Sequence, residues 1–252
     1  MHPNETRIFL AILTGVLVII FLIGVFIISA IYHQKQNAQL KLAQLSVQLK
    51  ALERERARIA ADLHDDLGSS LAAIRLQIKH LKTNNQNDAA IIDEAKSYID
   101  EAIQKLSYVS FNMMPLILQR NGLSDAIKEL TEMIELTTAI KIKCDCTVDI
   151  GDNDRRIHFY RIIQEVLNNI VKHSKATAVN ISVSRNERYI LVDITDNGIG
   201  FDKDRIIKNS IGRGLKNIKS RVEVLKGKSY LSTGINKGVH YSFEIPDTEH
   251  NG

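Results

Sequence analysis

The sequence predicts a membrane-anchored, multidomain chain: an α-helical hairpin that pairs with a second copy into a dimeric four-helix bundle, followed by an α+β sandwich. Three patterns predict it. An uncharged apolar run opens the chain, two apolar seams with heptad spacing follow, and the remainder mixes amphipathic helices with alternating strands.

Residues 8–31 carry no charge and are almost wholly apolar. At ~1.5 Å per residue they make a helix about 36 Å long, enough to cross a bilayer with some tilt. A cleaved signal peptide fits less well, because the run is too long and only Arg7 precedes it as a basic side chain. Lys35, Lys41 and Lys50 follow the run, against Arg7 and Glu5 before it. The positive-inside rule then predicts a single-pass protein of the inner (cytoplasmic) membrane with its C-terminal part in the cytoplasm. Residues 1–7 would lie outside, too few for a folded sensor domain.

Residues 32–52 read as a coiled-coil signalling helix. Leu42, Leu45, Leu49, Leu52, Arg56, Ile59 and Leu63 step alternately by three and four, which is an a/d seam. The step then changes: Leu63, Leu67 and Leu71 are spaced by fours, and Ile74, Ile78 and Leu81 resume the heptad. An extra four residues is a stutter, which locally unwinds a supercoil, and His64 and Gly68 lie in it. Residues 83–88 are polar and predict a turn. Ile92, Ala95, Ile99, Ala102, Leu106, Val109 and Met113 form a second seam, with Pro115 as its stop. Homodimerisation is the simplest way to bury both seams.

Beyond Asn121-Gly122 the pattern predicts a helix over 123–136 capped by Ser124, a strand over 141–148, and a helix over 157–173. Strands at 179–184 and 189–195, a helix at 215–225, and strands at 230–233 and 239–245 complete it. Cys144 and Cys146 are the two cysteines and fall on one strand face. Two cysteines make no disulfide framework, and the pair is read as small buried hydrophobes. Net charge is +4 with no dense basic patch, so nucleic-acid binding is not expected.

Several residue groups suggest chemistry. His64 falls at a solvent-facing heptad position, followed directly by Asp65. A neutral imidazole is a competent nucleophile, and a carboxylate beside it can accept or orient the ring proton. Glu165, Asn169, Lys172 and His173 are spaced i, i+4, i+7 and i+8, one face of an ideal helix. Asparagine is a poor interior helix former, so Asn168-Asn169 invites a reason. A carboxamide oxygen suits magnesium, and Lys172 could reach phosphates. Asp196-Asn197-Gly198-Ile199-Gly200 follows an apolar strand, and Gly212-Arg213-Gly214-Leu215 precedes a helix, whose N-terminus favours anions. Residues 201–211 between them are polar enough to form a lid. The P-loop pattern G-x-x-x-x-G-K-[S/T] is absent.

The order and spacing of these boxes resemble a sensor histidine kinase over residues 53–246. They resemble most the subfamily in which Asp follows the phosphoacceptor His and whose partners are NarL-type response regulators. The resemblance implies a dimerisation and histidine-phosphotransfer domain (53–120) and an ATP-binding domain of the Bergerat (GHKL) type (121–248). His64 would be the phosphoacceptor and Asp65 its proton acceptor. Asn169 would hold Mg2+, with Glu165 in the same box. Asp196 would receive the adenine amino group, and Gly198, Gly200, Gly212 and Gly214 would shape the ATP pocket and its lid. Lys172 and His173 would stand on the phosphate side.

Two positions depart from the family pattern. Members that also dephosphorylate their regulator carry Gln where this chain has Ser69, and a hydroxyl is too short to position a water as a carboxamide does. Members often show Gly-Thr where this chain has Gly238-Val239, leaving open a lower nucleotide affinity or a substitute hydroxyl such as Ser242. Two other functions compete: a catalytically weak, ATP-binding dimeric membrane scaffold, and a GHKL kinase acting on a protein serine. The paired helices and the His64 box argue against the latter.

Overall fold

The computed structural model describes residues 3–81, 85–113, 116–202 and 213–248. The chain divides into two units, Met1–Gln48 and Leu49–Gly252. Helix α1 (Pro3–Asp62) contains the apolar run. By length and composition it can cross a membrane, and no other described helix can.

At the sequence stutter the α-helix gives way to a π-helical turn, Leu63–Gly68, before α2 (Ser69–His80). Four-residue spacing keeps apolar side chains on one side only if the helix locally unwinds, and a π turn is such an unwinding. Helix α3 (Gln86–Met113) packs back on α2 as a hairpin. It starts inside the stretch expected to be a turn, because Asn85 accepts the Asn87 N–H through Oδ1 at 3.0 Å and so ends the loop early. The rest of that turn, residues 82–84, and the expected stop Pro115 lie outside the described residues. A short helix, α4 (Leu116–Arg120), precedes α5 (Leu123–Thr137). Ser124 does not cap α5. Gly122 holds the cap position, and the Ser124 hydroxyl donates to the Cys146 carbonyl at 2.6 Å, tying α5 to the first strand.

The α+β sandwich is present. Strands β1 (Lys141–Cys146), β2 (Ala178–Arg185), β3 (Tyr189–Asp196), β4 (Lys228–Thr233) and β5 (Val239–Pro246) form one sheet in the order β1-β2-β3-β5-β4. The β1–β2 pair is parallel, connected through α6 (Asn153–Asn169), and the other pairs are antiparallel. Alternation puts Val179, Ile181, Val183, Ile190, Val192, Ile194, Tyr241, Phe243 and Ile245 on one buried face. Against it lie Leu123 and Ile127 of α5, Phe159 and Ile163 of α6, and Ile218 and Val222 of α7 (Arg213–Val224). Each such side chain contributes roughly 1.5–3 kcal/mol by leaving water. Cys144 and Cys146 pack half-buried on this side, and burial pushes the Cys144 thiol up to about 11, so it is an inert hydrophobe.

Helix α6 begins four residues before the expected start because the Asp152 carboxylate accepts the Arg155 N–H at 3.0 Å. It ends in a second π turn, Ile170–Ser174, closed by Lys175 in the left-handed region (φ 52°).

Candidate functional site

Both π turns fall where the sequence suggested chemistry. His64 and Asp65 stand on the first, exposed to solvent. The Ser69 and Ser70 hydroxyls just beyond both donate to the Asp66 carbonyl, at 3.2 and 2.7 Å. Ser69 is thereby turned onto its own helix backbone. The second π turn follows Asn169 directly.

A cavity of about 460 Å³ opens between the C-terminal end of α6, the start of α7 and the inner face of β3 and β5. Asn169, His173, Asp196, Gly200, Gly214, Val239 and Tyr241 are among its lining residues. Asp196 is 3% exposed. Its Oδ1 accepts the Gly198 N–H at 2.7 Å, while Oδ2 is buried without a hydrogen-bond partner among the described residues. Burial raises its carboxyl above the ordinary range, against the Gly198 and Val239 amides, which lower it. An orphan carboxylate oxygen on a cavity wall is a specific invitation to an N–H donor.

The glycines divide into two jobs. A Cβ on Gly214 would stand 2.5 Å from Glu165 Oε1 and 3.2 Å from Asn169 Oδ1, so α7 starts directly against the two polar residues of α6. A Cβ on Gly198 would strike the Ser174 carbonyl at 2.2 Å. Gly198 does not line the cavity; it lets the Asp196 loop close on the end of the π turn, where the Ile199 N–H donates to Ser174 O at 2.8 Å. Gly200 does line it. Gly212 and nearly all of the expected lid, residues 203–212, lie outside the described residues.

Glu165 and Asn169 thus come together with His173 near one pocket, but Lys172 is exposed and not among the lining residues. The one-face reading assumed an unbroken α-helix, and the π turn changes the phase after Asn169. Ser242 cannot replace a hydroxyl at position 239. It falls on the opposite face of β5 from Val239 and Tyr241, paired with Asp193. Asn197 is a strut: its Oδ1 accepts from Thr177 N and Ala178 N, both at 2.9 Å, and its Nδ2 donates to the Thr177 hydroxyl.

One further cluster has only Arg56, a charge at a seam position, as its trace in the sequence. Glu53 of α1 accepts from Arg161 of α6 (Nε, 2.9 Å) and from Arg221 of α7 (Nη2, 2.6 Å). Burial alone would raise the Glu53 carboxyl, but the two guanidiniums outweigh it and hold it below the ordinary carboxylate value. Arg221 Nη1 lies 3.2 Å from His158 Nδ1, and burial and that guanidinium depress the imidazole to about 4. The ring is therefore neutral near pH 7, accepting through Nδ1.

Residues 55–117 match the family described as histidine kinase, and residues 154–249 match the family of histidine kinase-, DNA gyrase B- and HSP90-like ATPases. The oxygen sensor histidine kinase NreB of Staphylococcus carnosus (strain TM300) is 27% identical over 224 residues, covering 87% of this chain and 63% of that protein. The sensor histidine kinase LiaS of Bacillus subtilis (strain 168) is 26% identical over 207 residues, covering 81% and 57%. The chain spans less than two thirds of the length of these curated relatives. In fold it is similar to the histidine kinase domain of the blue-light activated histidine kinase from Erythrobacter litoralis EL346, with TM-score 0.50, 16% identity, and coverage of 73% of this chain and 96% of that one.

Proposed function

We propose that the chain is a sensor histidine kinase, as its matches to the two families and to NreB support, and that it phosphorylates its own His64 from ATP and passes the phosphoryl group to an aspartate of a NarL-type response regulator. The observation that carries the nucleotide part is the partnerless Asp196 Oδ2 in the wall of a cavity bordered by Gly200 and Gly214. It suits the exocyclic amine of adenine, and the start of α7 at Arg213-Gly214 suits phosphate at a helix N-terminus.

Asn169 and Glu165 have the oxygen ligands to hold Mg2+ on the phosphate side, with His173 beside them. Magnesium, when bound, neutralises charge on the phosphate oxygens. In the transfer, a ring nitrogen of His64 forms a bond to the γ-phosphorus as the bond to the β–γ bridging oxygen breaks, and ADP leaves. Asp65 takes up the proton released by the ring. His64 and Asp65 both being open to solvent supports access first by the ATP-binding domain and then by a regulator.

Membrane anchoring through residues 8–31, with the catalytic part in the cytoplasm, follows the apolar run and the lysines behind it. Homodimerisation is supported by Leu67, Ile74 and Leu81, a seven-residue stripe left 43–58% exposed on a single chain. The test is labelling of the full chain in detergent with γ-labelled ATP and Mg2+, beside Asn169→Ala and Asp196→Asn. Labelled parent and unlabelled variants are expected; an unlabelled parent that still binds ATP would point to the scaffold.

A further inference from the structure

The nucleotide cavity is framed by two helices, and those helices meet twice. At one end Gly214 of α7 abuts Glu165 and Asn169 of α6. At the other, Arg221 of α7 lies beside His158 and Arg161 of α6. That second meeting brings two guanidiniums together in a buried place: Arg161 and Arg221 are 5% and 4% exposed. Among the described residues of the ATP-binding domain, no carboxylate pairs with them to supply their counter-charge. It comes from Glu53, on the bundle helix.

Glu53 is bound on both sides. Oε2 accepts from Arg161 Nε at 2.9 Å and lies 2.8 Å from its Nη2; Oε1 accepts from Arg221 Nη2 at 2.6 Å and lies 3.6 Å from Arg56 Nη1. Arg161 also donates to the carbonyls of Asn112 and Met113, the end of the second bundle helix. Lys50 pairs with Asp154 at 2.7 Å one turn earlier on α1, and Leu49 is buried there. One carboxylate therefore docks the ATP-binding domain on the bundle and holds α6 and α7 to each other.

We propose that Glu53 is a positioning residue through which the bundle helix sets the nucleotide affinity of the ATP pocket, acting through Arg161 on α6 and Arg221 on α7. The inference rests on the ATP-binding reading above. Guanidiniums do not discharge at any physiological pH, so withdrawing Glu53 leaves like charges facing each other in a poorly solvated site. Their repulsion spreads the two helices at one end, and the pocket lies at the other end of the same pair, about 10 Å away along α7 (seven residues at ~1.5 Å). A domain lifted off the bundle then binds ATP more weakly than a docked one. By reciprocity, bound ATP tightens docking by the same factor. The site of input is Glu53, eleven residues before His64 on the same helical path.

The test is Mg-ATP binding by calorimetry to the full chain in detergent, comparing the parent, Glu53→Gln, and Glu53→Gln with Arg221→Gln. The single variant is expected to weaken binding by about 5-fold or more. The double variant, with one of the opposed charges removed, is expected to recover most of that loss. A merely structural Glu53 would give losses that add. Unchanged affinity in Glu53→Gln, or a double variant weaker than the single, overturns the proposal. Glu53→Asp keeps the charge but is one methylene too short to bridge both partners; it is expected to bind ATP with intermediate affinity, and parent-like binding would count against the bridge. A parent that binds no ATP overturns the nucleotide reading itself, and this inference with it.

Discussion

Asp196 and Val239 lie opposite one another in the β3–β5 register and both line the cavity, so a partnerless carboxylate oxygen stands beside an apolar wall. Two neighbouring hydroxyls are committed elsewhere. Thr233 Oγ1 donates to Gly238 O at 2.9 Å and accepts from Phe201 N at 3.1 Å, and Ser242 faces away. Val239→Thr should therefore add a hydroxyl to the wall opposite Asp196, tightening ATP binding by roughly 2- to 10-fold. Asp196→Asn presents an N–H to an N–H donor and should weaken it by at least about 10-fold. Calorimetric titration with Mg-ATP measures both.

Two alanine substitutions should separate packing from chemistry. In Gly198→Ala the new methyl meets the Ser174 carbonyl and Cβ, at 2.2 and 2.8 Å, and neither can step aside. A loss of about 1–3 kcal/mol in unfolding free energy is expected, read by urea denaturation. In Gly214→Ala the methyl meets the Glu165 carboxylate, the far end of a flexible side chain. Stability should hold while autophosphorylation falls about 10-fold or more, because Glu165 is pushed out of place.

Acid should destabilise the sandwich through His158. Its folded value near 4 lies below the ordinary imidazole value, so between about pH 6.5 and 4 the unfolded chain binds a proton that the folded chain refuses. Stability present above pH 6.5 is lost as pH falls through that window, by an amount on the order of 3 kcal/mol at most. Glu53 adds a further loss below the ordinary glutamate range, since its folded value is also depressed. His158→Asn should flatten the upper part of the urea-midpoint profile and leave the lower part.

The exposed stripe Leu67, Ile74 and Leu81, from the first π turn to the end of α2, should be a dimer seam. Ile74, 43% exposed, lies midway between Leu67 and Leu81. Ile74→Glu would place two like charges against each other in a paired bundle. The detergent-solubilised chain is then expected to shift from dimer to monomer in analytical ultracentrifugation at micromolar concentration, while Mg-ATP binding persists.

Regular elements were legible because their signals are local. The helices under the heptad steps and the alternating strands are present, and the stutter at His64 coincides with a π turn. Asp196, Asn169 and Gly214, which the fold brings to one cavity, stand out in the sequence because short local spacings single them out. The misses have two causes, a partner distant in sequence and a local break in helical phase. Ser124 was read as a cap, but its acceptor is the Cys146 carbonyl, 22 residues on. Lys172 was placed with Asn169 by ideal helical phase, which a π turn at Ile170 alters. Arg56 at a seam position was the only visible trace of the Glu53 cluster, whose partners lie 108 and 168 residues away.

The most direct measurement is the identity of the phosphorylated residue. The full chain is incubated with γ-labelled ATP and Mg2+, and the label is tested for loss in acid and persistence in alkali, beside His64→Gln. Acid-labile, alkali-stable label on the parent and none on His64→Gln is the expected result. Label that persists on His64→Gln, or that survives acid, would contradict the account and turn attention to transfer onto a serine.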